Sequence, residues 1–127
     1  MIPGDDWKVD RIVRVIDGDS LRLVRRRTGI AGDGLGLDIY DTNPDGAAVR
    51  LITVDTPERG EAGYQEAATD VRIWLNTHAK LGFRIETWPD GGFGRVLGDL
   101  YVTTDRGNTL SQHLLRNCGW LPYVKGQ

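Results

Sequence analysis

Residues 49–58, Val49-Arg50-Leu51-Ile52-Thr53-Val54-Asp55-Thr56-Pro57-Glu58, hold the key to the architecture. Apart from Arg50, Val49 to Val54 is built of apolar and β-branched residues, which predicts a strand. Asp55-Thr56-Pro57 stops it, because the residue before a proline is driven out of the helical region and proline has no N–H to donate. Immediately afterwards the period changes. From Glu61 to Lys80, the residues Tyr64, Ala67, Ala68, Val71, Trp74, Leu75 and His78 recur at the i, i+3, i+4, i+7 spacing of one helix face. A strand, a proline stop and an amphipathic helix therefore occupy the centre of the chain.

Two further strands precede this unit. Trp7 to Ile16 carries Ile12, Val13, Val15 and Ile16 among charged residues. Ser20 to Arg26 alternates, with Leu21, Leu23 and Arg25 on one face and Arg22, Val24 and Arg26 on the other. Asp17-Gly18-Asp19 between them is a hairpin turn, since Gly and Asp tolerate the backbone angles a tight reversal demands. Residues 28–47 are rich in Gly and Asp and include the turn signal Asn43-Pro44-Asp45-Gly46, with Leu35 to Tyr40 as a short extra strand. After the helix come strands at Gly82 to Trp88 and Arg95 to Val102, joined by Pro89-Asp90-Gly91-Gly92. A short second helix runs from Leu110 to Cys118, capped by Asn108 or Thr109 and ended by Gly119. Three strands, helix, two strands, helix is the order of an α+β, five-stranded OB-fold barrel. The whole chain, 1–127, reads as one such domain.

The formal charge of −2 argues against a protein that coats nucleic acid through a broad basic face. It leaves open an enzyme that gathers a few cations around one phosphate, with a bound metal supplying part of the charge. The longest apolar runs fall far short of the roughly 20 residues that span a bilayer, so no membrane association is expected. The start of the chain lacks the basic and apolar regions of a signal peptide. The single cysteine, Cys118, allows no internal disulfide and is expected to be a small buried hydrophobe. The expected state is a cytoplasmic monomer, although a mature secreted chain would look the same.

Three segments could carry chemistry: Val15 to Ser20, Val49 to Glu58, and Phe93-Gly94-Arg95-Val96-Leu97. Taken singly they are bland. Asp17-Gly18-Asp19 can be a turn and nothing more, and Arg50, Asp55 and Glu58 can be a surface cation and two solvated acids. Read together, Arg50 lies within a strand that ends on a rigid Thr-Pro turn bearing Asp55 and Glu58, so a cation and two carboxylates meet near one strand end. No His-Cys cluster has zinc spacing, and no Ser-His-Asp set or glycine-rich phosphate loop is present. His78 and His113 read as partly buried structural residues and Trp74 as core. Trp88 is ambiguous, and Arg25-Arg26-Arg27 reads as a solvated strand end.

In combination the three segments resemble the thermonuclease family, typified by staphylococcal nuclease, over about Arg11 to Tyr123. The resemblance implies a calcium-dependent nuclease acting on DNA, RNA or both, with single strands preferred and 3′-phosphate ends left. It implies that Asp19, Asp55 and the backbone carbonyl of Thr56 bind Ca2+. Glu58 would orient or deprotonate the attacking water, Arg50 and Arg95 would hold the phosphate, and Asp17 would support the metal site. Oxygen ligands suit calcium, and planar guanidinium forks suit a phosphoryl group gaining negative charge.

This chain departs from the family pattern at several points. Ser20 stands where threonine is usual, Phe93 where a phosphate-contacting tyrosine is usual, and Gly92 where a lysine is usual. Tyr123 lies near, but out of step with, a base-stacking tyrosine. The rival to an enzyme is a catalytically inactive module of the same fold that binds nucleic acid or protein. The presence of Asp19, Arg50, Asp55, Glu58 and Arg95 together favours the enzyme. A third possibility, a barrel that binds single strands without cutting, lacks an aromatic platform and a basic excess.

Overall fold

The computed structural model describes residues 4–29, 37–40, 45–89 and 94–122, with backbone alone at 27–29 and 37–40. Strand β1 (Asp5–Asp17) turns through Gly18-Asp19 into β2 (Ser20–Gly29), and β3 (Leu37–Tyr40) pairs with the far half of β2. β4 (Ala47–Leu51) follows, then the two-residue β5 (Val54–Asp55), helix α1 (Tyr64–His78) and one 3-10 turn (Ala79–Leu81). β6 (Phe83–Trp88), β7 (Val96–Val102) and β8 (Asp105–Thr109) precede α2 (Leu110–Gln112). A π-helical turn (His113–Asn117) and β9 (Leu121–Pro122) complete the described chain.

Five strands close on themselves in the order β1-β2-β4-β7-β6-β1. Every neighbouring pair is antiparallel except β4 and β7, which run parallel with Arg50 opposite Leu97. This is a closed, mixed, OB-like barrel, with α1 inserted between its third and fourth strands. Closure removes the exposed sheet edges that would otherwise invite pairing with other chains. Alternation fills the interior: Leu21, Leu23, Val49, Leu51, Ile85, Leu100 and Val102 are buried to 1% exposure or less. Each such side chain contributes about 1.5–3 kcal/mol by leaving water. Gly98 lets β4, β6 and β7 approach. A Cβ there would lie 2.6 Å from Val49 Cγ1 and 2.8 Å from Ile85 Cδ1.

The helix face expected from the periodicity is the one buried, through Ala67, Ala68, Val71, Trp74 and Leu75. Trp74 stacks on Phe83 with ring centroids 5.2 Å apart, and its Nε1 donates to Asn108 Oδ1 at 3.2 Å. Helix α1 begins at Tyr64 rather than Glu61, after Gly63 in a left-handed conformation (φ 88°). Thr109 caps α2, its side chain accepting from the Gln112 N–H. The expected second helix is only three residues of α-helix before it widens into the π turn. Leu110 and Leu114 nonetheless point into the core.

Other expectations are corrected. The strand expected over Val49 to Val54 is broken: Thr53 has φ 65° and the Val54 N–H donates to Ile52 O at 2.9 Å, a γ-turn. Positive φ is sterically unfavourable for a β-branched residue, and here the kink frees Val54 and Asp55 to pair with Pro122 and Leu121 of β9. Neither β8 nor β9 has a separate signal in the sequence. Arg25 does not lie in solvent; its guanidinium stacks over Trp7 at 4.2 Å and donates to Thr87 Oγ1. Cys118 is only partly buried, beside the core. His78 and His113 are both partly buried, as expected. The turns expected at 43–46 and 89–92 lie partly, and Gly92, Phe93 and Tyr123 wholly, outside the described residues.

Candidate functional site

The hairpin turn between β1 and β2 is held against the chain by its glycine. A Cβ at Gly18 would meet Thr56 Oγ1 and Ala67 Cβ, each at 2.6 Å, so only glycine allows the turn to approach Thr56 and α1 so closely. Asp19 is thereby buried to 4% exposure. Its backbone carbonyl accepts from the Leu51 N–H at 2.7 Å, which locks the turn to the end of β4. Ser20 and Arg50 are directly opposite each other in the β2–β4 ladder.

These constraints bring together residues far apart in sequence. Asp19 Oδ2 accepts from Arg50 Nη1 at 3.0 Å and from the Thr56 N–H at 3.1 Å. Ser20 Oγ donates to Asp19 Oδ1 at 3.2 Å, and Arg95 Nη1 reaches Ser20 Oγ at 3.5 Å. The other fork of Arg50 lies 3.9 Å from Asp55 Oδ1, and the Asp55 side chain is 58% exposed. A buried carboxylate is costly unless it is paired and hydrogen-bonded; Asp19 is both. Asp19 and Asp55 therefore flank a single guanidinium, with Arg95 joined to the group through Ser20.

Glu58 stands apart from this cluster. It is exposed, and its side chain has no hydrogen bond or ion pair among the described residues. Its N–H donates to Glu61 Oε1 at 2.7 Å, which ties the Thr56-Pro57-Glu58 turn to the approach to α1. Glu58 does share an open cleft of about 620 Å³ with Asp55, Thr56, Glu61 and Trp120. Trp120 is anchored there by its Nε1, which donates to Asp70 Oδ2 at 2.8 Å. The sequence by itself assigns no role to Ser20 as a bridge to Arg95, or to Glu61 and Trp120 in the cleft. Only Glu61 has a local signal, three residues after Glu58 in a capping-box-like spacing.

Asp17 accepts from the Asp19 N–H at 3.1 Å. Burial, followed by the adjacent Asp19 carboxyl, pushes its pKa from 3.8 up to about 6. The sign follows: a raised carboxyl favours folding fully below 3.8 and loses that contribution as pH rises through about 6. Asp17→Asn is therefore expected to raise stability by about 1 kcal/mol at pH 7–8 and to change nothing near pH 3.5. Urea midpoints of both proteins at the two pH values check this; an equal gain at both would point to packing instead of charge.

The donors suited to a metal are all oxygens: the Asp19 and Asp55 carboxylates and the Thr56 carbonyl. Thr56 Oγ1 is also buried beside them, with no hydrogen-bond partner among the described residues. Such a set fits a hard cation such as Ca2+. Among the described residues, no three His, Cys, Asp or Glu side chains form a metal cluster by themselves, so backbone or water oxygens would have to complete the shell. Among these residues, too, no helix is long and apolar enough to cross a membrane. Compared with known protein families and curated proteins, the chain matches no family model and no curated protein.

Proposed function

We propose that the protein is a Ca2+-dependent nuclease that hydrolyses phosphodiester bonds in DNA, RNA or both, single strands foremost, leaving 3′-phosphate ends. One observation carries this reading: Arg50 holds buried Asp19 with one fork while its other fork faces exposed Asp55, beside a cleft open to solvent. The motifs shared with the thermonuclease family support it independently. Arg50 and Arg95 bind the phosphoryl oxygens, and their guanidiniums stay charged at any working pH. Asp19 holds the Arg50 fork in place, so little reorganisation is needed when negative charge builds on those oxygens. Glu58, exposed at the rim of the cleft, orients a water and takes its proton. Calcium, when bound by Asp19, Asp55 and Thr56, supplies Lewis-acid polarisation of the phosphoryl group.

The test is a gel assay of purified protein on single- and double-stranded DNA and RNA. Cleavage is expected with added calcium, loss with excess chelator, and recovery on readdition. Cleavage that continues undiminished in chelator removes the metal from the proposal. The satisfied Asp19–Arg50 ion pair also suits a catalytically inactive module that binds nucleic acid or protein, and binding without cleavage in the same assay favours that second reading.

A further inference from the structure

Seven of the chain's 16 Lys and Arg residues lie between positions 8 and 27, in a protein of net charge −2. The strand registers put them in rows. Arg84, Lys8 and Arg26 stand side by side across β6, β1 and β2. Arg11 is opposite Val24, and Arg14 is opposite Arg22, which in turn neighbours Ala48 of β4. The next row holds Asp17, Ser20 and Arg50. Directly paired residues share a sheet face, and the interior side belongs to Leu21, Leu23, Val49 and Ile85. The cationic rows and Arg50 consequently occupy one outer face. On this face Asp6 pairs with Arg84, Asp10 with Arg26, and Asp19 and Asp55 with Arg50. Arg22 Nη1 donates to Gly46 O at 2.9 Å. The side chains of Lys8 and Arg14 have no hydrogen-bond or ion-pair partner among the described residues.

Like charges directly opposite across a ladder destabilise a sheet, and Lys8 and Arg14 have no ion pair or hydrogen bond among the described residues to offset this. We infer that this face of β1 and β2 is a track for the phosphates of an extended single strand of nucleic acid leading to Arg50. Rows two residues apart along β2 are separated by about 6.8 Å, close to the spacing of successive phosphates in an extended strand. The span from Arg26 to Ser20, about 20 Å, accommodates three to four nucleotides. A single extended strand matches this row spacing along β1 and β2. The inference rests on the proposed nuclease reading for the direction of the track, but the track itself is tested by binding alone.

The experiment is fluorescence anisotropy with a short labelled oligothymidylate in excess chelator, over a series of salt concentrations. Lys8→Gln/Arg14→Gln is expected to weaken binding about tenfold at low salt. It should also reduce the slope of log affinity against log salt by about 1.4, roughly 0.7 for each single-strand phosphate that is no longer neutralised. Its melting temperature should equal or exceed that of the parent, since three directly opposed like-charge pairs (Lys8 with Arg84 and Arg26, Arg14 with Arg22) are relieved. Arg72→Gln/Lys80→Gln, on the exposed side of α1 and the turn after it, is the control and should bind as the parent does. Unchanged affinity and slope in the Lys8/Arg14 variant overturn the track. So does parent protein that binds phosphatidylserine vesicles but not the oligonucleotide. Track-dependent binding by a protein that never cleaves keeps the track and sinks the nuclease proposal; cleavage with unaltered binding does the reverse.

Discussion

Asp19→Ala is expected to lower the stability of the protein by about 3–5 kcal/mol, as for other buried ion pairs broken by removing one partner. The mechanism is the orphaning of three donors at once. Arg50 Nη1, the Thr56 N–H and the Ser20 hydroxyl all point at the Asp19 carboxylate, and Ser20 and Thr56 are themselves buried. Asp19→Asn keeps one oxygen for the Thr56 N–H and should cost less. Urea unfolding measures the difference as a shift in midpoint at constant slope. A double-mutant cycle with Arg50→Met isolates the pair itself, because the second substitution removes the uncompensated charge that the first leaves behind. Asp19→Ala unfolding within about 0.5 kcal/mol of the parent, the usual range for an unengaged surface site, would mean that the three donors do not depend on this carboxylate.

Glu58→Gln is expected to behave in the opposite way, cutting turnover by about 10²–10⁴-fold, the usual contribution of a positioned base, with unfolding unaffected. Its exposed side chain makes no hydrogen bond or ion pair among the described residues, and its hydrogen bonds, from its N–H to Glu61 Oε1 and to its carbonyl from the Glu61 N–H, run through the backbone, which glutamine retains. Single-turnover cleavage of a defined oligonucleotide in saturating calcium, alongside a melting curve, separates chemistry from folding. Parent-like rates would take Glu58 out of the proposed mechanism and leave it without an identified base. The contrast between Asp19 and Glu58 is informative in itself. One carboxylate holds the site together, while the other is available to act.

Much of the barrel is legible in the chain because its signals are local. Leu21 and Leu23 alternate with Arg22 and Val24, and Ala67, Val71 and Trp74 repeat with helical period; both patterns follow from backbone geometry over a few residues. Pro57 announces the end of the strand unit for an equally local reason. The break at Thr53 is invisible, since a threonine amid β-branched residues promises extended backbone. It is seen only in three dimensions, where Ile52 bonds to Gly98 O, Val54 bonds back to Ile52 and β5 pairs with β9. Strands β8 and β9 escape a sequence reading because Asp105-Arg106-Gly107-Asn108 has no apolar alternation and Leu121-Pro122 is too short to show any.

At the candidate site, the residue types and their order are written in the chain: acids at 17 and 19, an arginine at 50, acids at 55 and 58, an arginine at 95. Local patterns therefore suffice for the main elements, the buried faces and the inventory of charged groups. Three-dimensional folding was needed to bring Asp19 and Asp55 to one guanidinium, to turn Glu58 toward the cleft instead of that cluster, and to line up cations from three strands on one face. The physical reason is that each of these depends on strand register and barrel closure. A shift of one residue in pairing turns every side chain to the other face, and that register is set by contacts between segments tens of residues apart.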